Sequence, residues 1–185
     1  NPILPKLLDK ALEDQALPTI IAYNRVDGPG SSLDLREFQQ TFWSIPDIPK
    51  DINADPAMVW SKYLPRTVGI TIDIGTRIEA RPFKSGLISV QSLDYGTEVV
   101  GKPGDIHPIK ENWLLKILEL FGLSGVKFVL KNLCEGTKSS GLGGSATATT
   151  GVCMLANELA GRPFSGIQLI SMASRIEQDF GVSIT

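Results

Sequence analysis

The sequence predicts an α+β fold with a mixed or mostly antiparallel sheet, and three observations support this interpretation. Ile70, Ile72 and Ile74 alternate with smaller or polar residues, which is the period-two pattern of a strand with one buried face. In the last third of the chain, apolar residues recur at helical spacing instead. Strand-like and helix-like segments are mixed along the chain without strict alternation, which favours α+β over a parallel doubly wound sheet.

The first part of the chain is the harder part to interpret. Three elements are predicted there: a helix over 1–17, a strand over 19–23 and a helix over 33–43. Residues 44–66 carry four prolines and are predicted to be loop. We therefore expect residues 1–64 to form an N-terminal arm with a proline-rich loop, and residues 65–185 to form the main domain.

The second part of the chain shows clearer patterns. The predicted elements are a strand over 68–80 that Gly75 can bend, its hairpin partner over 87–93, a loop over 94–105, a helix over 109–121, a strand over 126–130, and helices over 146–159 and 165–180. The core-facing positions predicted on the first and last of these helices are Ile109, Trp113, Ile117, Leu120, Phe121, Ile167, Ile170, Ala173 and Ile176.

Composition and charge exclude several classes of function. The formal net charge of the 185 residues is −2, so no basic excess favours a nucleic acid or an anionic membrane as partner. No apolar run is long enough to span a bilayer and no signal-peptide pattern is present, so we expect a cytoplasmic protein. Cys134 and Cys153 form no CxxC motif and His107 is the single histidine, which argues against a zinc site. A homodimer is left open.

Residues 139–150, Ser-Ser-Gly-Leu-Gly-Gly-Ser-Ala-Thr-Ala-Thr-Thr, are the most informative segment of the chain. The glycines and hydroxyls lie between a strand-like run and a helix-like run. Glycine lets a backbone approach a ligand closely, and a helix N-terminus offers unpaired N–H groups and a positive dipole end. The segment therefore predicts binding of nucleotide phosphates.

Generic motifs explain this segment poorly. The P-loop pattern GxxxxGK[ST] and the esterase pattern GxSxG are both absent. The dinucleotide fingerprint matches loosely at Gly141, Gly143 and Ala146. The acidic residue that should follow a second strand is missing, because Glu158 falls inside the next predicted helix. We therefore set the dinucleotide interpretation aside as weak.

A match of higher quality is found with the second motif of the GHMP kinases (galactokinase, homoserine kinase, mevalonate kinase and phosphomevalonate kinase). Residues 140–147, Ser-Gly-Leu-Gly-Gly-Ser-Ala-Thr, resemble that motif, P-x-x-x-G-L-G-S-S-A. Thr137 stands where proline is usual, and Gly144 replaces the first serine. The flanking segments 65–76, 89–94, 157–161 and 173–177 are similar to segments of the same family in the same order. The resemblance covers about residues 65–185 and is strongest to the sugar-directed members.

The resemblance implies a fold and a set of ligand contacts. It implies the N-terminal ATP-binding domain of the family (the ribosomal protein S5 domain 2-like fold), without the C-terminal ferredoxin-like domain. It places the ATP phosphates against Ser139, Ser140, Gly141, Leu142, Gly143, Gly144, Ser145 and Ala146.

The resemblance also implies Mg²⁺ as a cofactor beside ATP, held by the Ser145 hydroxyl and the Glu177 carboxylate, since Mg²⁺ prefers oxygen ligands. A simple helix N-cap at Ser145 and a surface glutamate at Glu177 are the plainer alternatives. Lys138 could add positive charge to the phosphate site, but the favoured interpretation is a solvated loop lysine.

The implied reaction is transfer of the ATP γ-phosphoryl group to a hydroxyl of a sugar or sugar phosphate. In the family a catalytic aspartate follows the glutamate helix, and we expect that base to lie beyond Thr185, so that this chain alone is inactive. The first family motif is not recognisable near the N-terminus. A mevalonate- or homoserine-type kinase, and a non-catalytic homologue that binds a nucleotide or another ligand, are the alternatives.

Overall fold

The computed structural model describes residues 18–27, 69–134 and 144–182. The chain divides into two compact units, Asn1–Asn24 with Ile72–Ser183, and Arg25–Thr71 with Ile184–Thr185. Of the second unit, only the strand ends 25–27 and 69–71 are described. The helices predicted over 1–17 and 33–43 and the proline-rich loop lie outside the described residues.

The described residues form five strands and three α-helices. The strands are β1 (Thr19–Asp27), β2 (Gly69–Pro82), β3 (Ile88–Ser92), β4 (Thr97–Gly101) and β5 (Val126–Asn132). The helices are α1 (Trp113–Leu120, preceded by a 3₁₀ turn over Lys110–Asn112), α2 (Gly144–Leu159) and α3 (Gly166–Asp179). The predicted α+β class is confirmed.

The sheet is mixed and has the strand order β1-β2-β5-β3-β4. β5 runs antiparallel to β2 and parallel to β3. The prediction that residues 87–93 form a hairpin with the isoleucine-rich strand was therefore wrong, because β5 lies between the two. Residues 83–87 connect β2 to β3, and β5, which comes later in the sequence, pairs between these two strands.

The hairpin partner of β3 is β4, in a segment that was predicted to be loop. Val90 lies opposite Val99, and Ser92 lies opposite Thr97. The turn between the two strands contains Gly96, whose φ of 63° is the left-handed conformation that glycine adopts without strain. Because residues 94–105 are rich in turn-forming residues, the five-residue strand within them was missed.

The three helices form where their spacing predicts them. α1 ends before Gly122, which has a φ of 66°. α3 begins with a capping box, in which Ser165 accepts the backbone N–H at Gln168 and the Gln168 side chain accepts the N–H of Ser165. Ile109, Leu120 and Ile170 were predicted to face the core but are more than half exposed.

The hydrophobic core lies between one face of the sheet and the helices. α1 packs on β3 and on α2, and α2 packs on α3. Phe128 and Ile78 are completely buried in the sheet, and Val152 is completely buried on α2. Full burial of one such side chain contributes about 1.5–3 kcal/mol.

Two glycines allow close packing, one between α2 and the sheet and one between β2 and β1. A Cβ at Gly151 of α2 would lie 2.4 Å from the Ile78 side chain, so the helix approaches the sheet at van der Waals distance there. A Cβ at Gly75 of β2 would lie 2.3 Å from the backbone oxygen of Ala22 on β1. β2 continues through Gly75 as one 14-residue strand.

The variant Gly75→Ala should lose stability, because the new methyl group meets backbone atoms of β1 that cannot rotate away. We expect a loss of about 2–4 kcal/mol in the free energy of unfolding, measured by urea denaturation. Gly166→Ala is the matched control, since no atom lies within 4 Å of a Cβ built there. Equal stability of the two variants would contradict the close approach at Gly75.

Candidate functional site

A cavity of about 540 Å³ lies against the core-facing side of the sheet, where the side chains along the strands change from apolar to polar. On β2 the change is from Ile78 to Thr76, and on β5 it is from Leu130 to Asn132. The register pairs Ile78 with Leu130 and Thr76 with Asn132, so the polar ends lie side by side. The cavity is lined by Asn24, Gly75, Thr76, Val90, Ser92, Asp94, Tyr95, Thr97, Val99, Lys110, Glu111, Trp113, Leu114, Leu130, Asn132, Gly144, Ser145 and Ala148.

Hydrogen bonds fix the polar floor of the cavity. Thr76 Oγ1 donates to Asn132 Oδ1 over 3.1 Å. The backbone N–H of Asn132 donates to Asp94 Oδ2 over 2.8 Å. These bonds join β2, β5 and the turn after β3, so the floor is a connected part of the sheet.

The N-terminus of α2 forms one wall of the cavity. Gly144, Ser145 and Ala148 of this helix line it, and Ser145 is half-buried. The first N–H groups of a helix have no partner within the helix, and the helix dipole adds positive potential at this end. The wall is therefore suited to an anionic ligand.

Glu177 of α3 is buried beside the first turns of α2, with 7% of its surface exposed. Its Oε1 accepts a hydrogen bond of 2.8 Å from Thr149 Oγ1, and the Ser145 side chain lies close enough to lower the pKa of this carboxyl. Thr149 Oγ1 lies 2.9 Å from the backbone oxygen of Ser145 as well. Within the described residues Glu177 has no ion pair with a lysine or arginine.

Burial is the main influence on the titration of this carboxyl. It raises the pKa of Glu177, and the hydrogen bonds from Thr149 and Ser145 offset part of the increase. The Thr149 hydroxyl has a single hydrogen for two nearby acceptors. A protonated Glu177 can donate to Thr149, whose own hydrogen then goes to the Ser145 backbone oxygen.

Two oxygen donors, the buried Glu177 and the half-buried Ser145, fit the chemistry of Mg²⁺. This ion takes one or two protein ligands and completes its octahedron with water and phosphate oxygens. No group of three or more His, Cys, Asp or Glu side chains able to hold a metal is found in the described part of the chain. A site here would consequently depend on ligand oxygens.

Cys153 lies one turn beyond Thr149 on α2 and is completely buried. Burial, with a contribution from the negative charge of Glu177, raises the pKa of its thiol to about 12. The thiol therefore stays protonated at neutral pH, which agrees with its interpretation as a small core residue.

The structure brings together the two residues predicted to hold the metal. Ser145 and Glu177 are 32 positions apart in the sequence, and the Thr149 hydroxyl lies within hydrogen-bonding distance of both the Ser145 backbone oxygen and the Glu177 carboxylate. The surface alternative for Glu177 was wrong, since the exposed side of α3 carries the Arg175–Asp179 ion pair instead.

The rest of the predicted phosphate loop is described in part only. Gly144 and Ala146 lie at the start of α2, while Ser139, Ser140, Gly141, Leu142 and Gly143, together with Lys138, fall outside the described residues. All of their ligand contacts remain predictions.

Sequence reasoning missed two polar residues of this region. Thr149 follows Ser145 by one helical turn, and that spacing alone could have placed it beside the site. Asn24 lines the cavity from β1 and belongs to no motif that points to it. His107, by contrast, is not among the residues that line the cavity, and its side chain is exposed.

Solved structures of small-molecule kinases share this fold. Galactokinase of Lactococcus lactis, complexed with galactose, superposes with a TM-score of 0.60 at 15% identity, over 96% of this chain and 42% of that one. Mevalonate kinase of Methanococcus jannaschii gives 0.59 at 16% identity, over 92% and 49%. A D-glycero-D-manno-heptose 1-phosphate kinase of Bacteroides thetaiotaomicron gives 0.60 at 17%, over 89% and 49%. The chain spans less than half the length of these proteins.

A family model matches part of the sequence. Residues 110–185 match the model described as the GHMP kinases N terminal domain. The resemblance seen in the motifs is confirmed over this part of the chain. A comparison with curated proteins found no match. None of the described helices is long and apolar enough to cross a membrane.

Glu177→Gln should change how stability depends on pH. In the absence of metal, the pKa of Glu177 is higher in the folded than in the unfolded chain. The contribution of Glu177 to the free energy of unfolding is therefore greatest at low pH. It is lost as the pH rises from the ordinary carboxyl pKa through the raised pKa. Glutamine stays neutral and can still accept from Thr149. The variant should therefore gain stability relative to the wild type across that window.

The measurement is the urea midpoint between about pH 4 and pH 8 in the presence of EDTA. Glu158→Gln, on the exposed side of α2, controls for the loss of one negative charge. A difference between Glu177→Gln and the wild type that does not change with pH would refute the effect of burial.

Proposed function

We propose that this chain is the ATP-binding part of a small-molecule kinase that transfers the ATP γ-phosphoryl group to a hydroxyl of a sugar or sugar phosphate. One observation carries the proposal. Ser145, at the N-terminus of α2, lines a cavity large enough for a nucleoside, and Thr149 one turn further along α2 hydrogen-bonds the buried Glu177. These residues lie within the segment that matches the GHMP kinases N terminal domain model.

The two ends of the cavity suit the two ends of ATP. Val99, Trp113 and Leu114 supply an apolar and aromatic wall at the β4–α1 end, which is suited to the flat face of a base. Gly144 and Ser145 supply helix N–H groups and a hydroxyl at the α2 end, which is suited to the phosphates. ATP would therefore lie along the cavity with its phosphates toward α2.

Mg²⁺ is the second cofactor in this proposal, and Ser145 and Glu177 would hold it. When bound, the ion neutralises charge on the phosphate oxygens. Glu177 would bind the ion as a carboxylate, because a nearby cation favours the ionised form that burial disfavours. The N–H groups at the start of α2 would orient the phosphates without needing to reorganise.

The proposed acceptor is a sugar or sugar phosphate, and the role would be in carbohydrate metabolism in the cytoplasm. Its support is the likeness of residues 71–76 and 92–94 to sugar-directed members. Thr76, Ser92 and Asp94 from these segments line the cavity. A mevalonate- or homoserine-type acceptor is the alternative within the same reaction class, since the structural neighbours include a mevalonate kinase.

A non-catalytic ligand-binding homologue is the second candidate function. It is favoured by the unrecognised first motif. A buried carboxylate paired with a serine hydroxyl at a helix N-terminus opposes it, because a metal-independent binding module gains nothing from that arrangement.

Substitution of the two proposed metal ligands should separate the candidates. In calorimetric titrations with ATP, Ser145→Ala and Glu177→Ala should each weaken binding about tenfold in the presence of Mg²⁺ and far less in EDTA. Ser165→Ala, which removes a hydroxyl from the start of α3, and Glu158→Ala are the matched controls and should bind like the wild type. Binding that ignores Mg²⁺ in every variant would support the non-catalytic homologue instead.

A further inference from the structure

Asn24 on β1 is a buried polar residue whose side-chain oxygen has no hydrogen-bond partner. Its side chain lines the cavity, and the residue is only 6% exposed. Its Oδ1 is enclosed and has no hydrogen-bond partner. Every other buried side-chain nitrogen or oxygen in the described ranges has one.

The polar residues around it are satisfied. Thr76 and Asn132, which line the same part of the cavity, hydrogen-bond each other over 3.1 Å. Asn157 on α2 is buried to the same 6%, yet its amide nitrogen donates to the Phe164 carbonyl and its Oδ1 accepts the Phe164 N–H, both at 3.1 Å. Asn157 therefore has a structural explanation, and Asn24 lacks one.

An enclosed acceptor without a partner destabilises the fold that contains it. A leucine of nearly the same size would avoid that penalty at this position. The penalty is removed when a molecule in the cavity supplies an N–H or O–H group. Rotation of the amide about χ2 exchanges the positions of Oδ1 and Nδ2, and this would present the oxygen to the cavity.

We propose that Asn24 Oδ1 accepts a hydrogen bond from the Mg·ATP complex bound in this cavity, and so helps to select the nucleotide. This rests on the proposed kinase function. Ionised phosphate oxygens carry no hydrogen, so the donor is a ribose hydroxyl, the amino group of the base or a metal-bound water. Asn24 is thus a nucleotide-binding residue outside the glycine-rich motif.

Asn24→Leu tests the proposal through two opposite effects. The ligand-free variant should unfold about 2–4 °C above the wild type, because the unpartnered oxygen is gone. The same variant should bind Mg·ATP about tenfold more weakly. Asn157→Leu is the matched control, since it removes a satisfied buried amide and should lower the melting temperature while leaving the affinity for Mg·ATP unchanged.

The donor is located by changing one group of the ligand at a time. The affinity difference between wild type and Asn24→Leu should vanish with 2′-deoxy-ATP or 3′-deoxy-ATP for a ribose donor, with ITP for the base amino group, and in EDTA for a metal-bound water. An undiminished difference with all four probes would overturn the proposal, because the substitution would then act through the shape of the cavity.

The remaining outcomes are also decisive. A melting temperature lowered as in Asn157→Leu would show that Asn24 has a structural partner, and this too would overturn the proposal. Unaltered affinity for Mg·ATP would do the same. If the wild type itself does not bind Mg·ATP, the kinase proposal fails, and the assignment of Asn24 to the nucleotide fails with it, whatever the melting temperatures show.

Discussion

The hydrogen bonds among Glu177, Thr149 and Ser145 connect the two helices on which the proposed site depends. They place a buried carboxylate of α3 against the first turns of α2, and the first residues of this helix line the cavity. A buried carboxylate is costly unless it is hydrogen-bonded or neutralised. Here two hydroxyls meet part of that cost, and burial raises the pKa of the group. A bound cation would meet the remainder, so the same arrangement links the packing of the helices to the binding of a metal.

The sheet positions this arrangement, and its topology shows what the sequence could and could not predict. Local patterns were sufficient for β1, β5 and the three helices, because periodicity and end signals such as Gly122 are local. The pairing of β5 with β2 and β3 depends on residues 38–56 positions apart, and no local pattern encodes such a contact. The glycine-rich turn at Gly96 also hid a short strand that gains its stability from pairing with β3.

The candidate site was predictable to the extent that motif order specifies it. Ser145 and Glu177 were expected to act together, and the fold places both beside the Thr149 hydroxyl. Thr149 lies one helical turn from Ser145 and was accessible to the same reasoning. Asn24 was not accessible, because its significance comes from an oxygen that is enclosed and unpartnered only once the sheet and α2 have packed. Burial of this kind is a property of the folded chain and has no signature in a strand sequence.

The central claim is that the start of α2 and Glu177 together hold the metal and phosphates of ATP. A crystal structure of this chain with Mg²⁺ and a non-hydrolysable ATP analogue tests it most directly. The account predicts a Mg²⁺ ion about 2.1 Å from a Glu177 carboxylate oxygen and from the Ser145 hydroxyl, with phosphate oxygens completing its coordination. A nucleotide bound elsewhere, or a Glu177 that remains hydrogen-bonded to Thr149 with no metal beside it, would contradict the account.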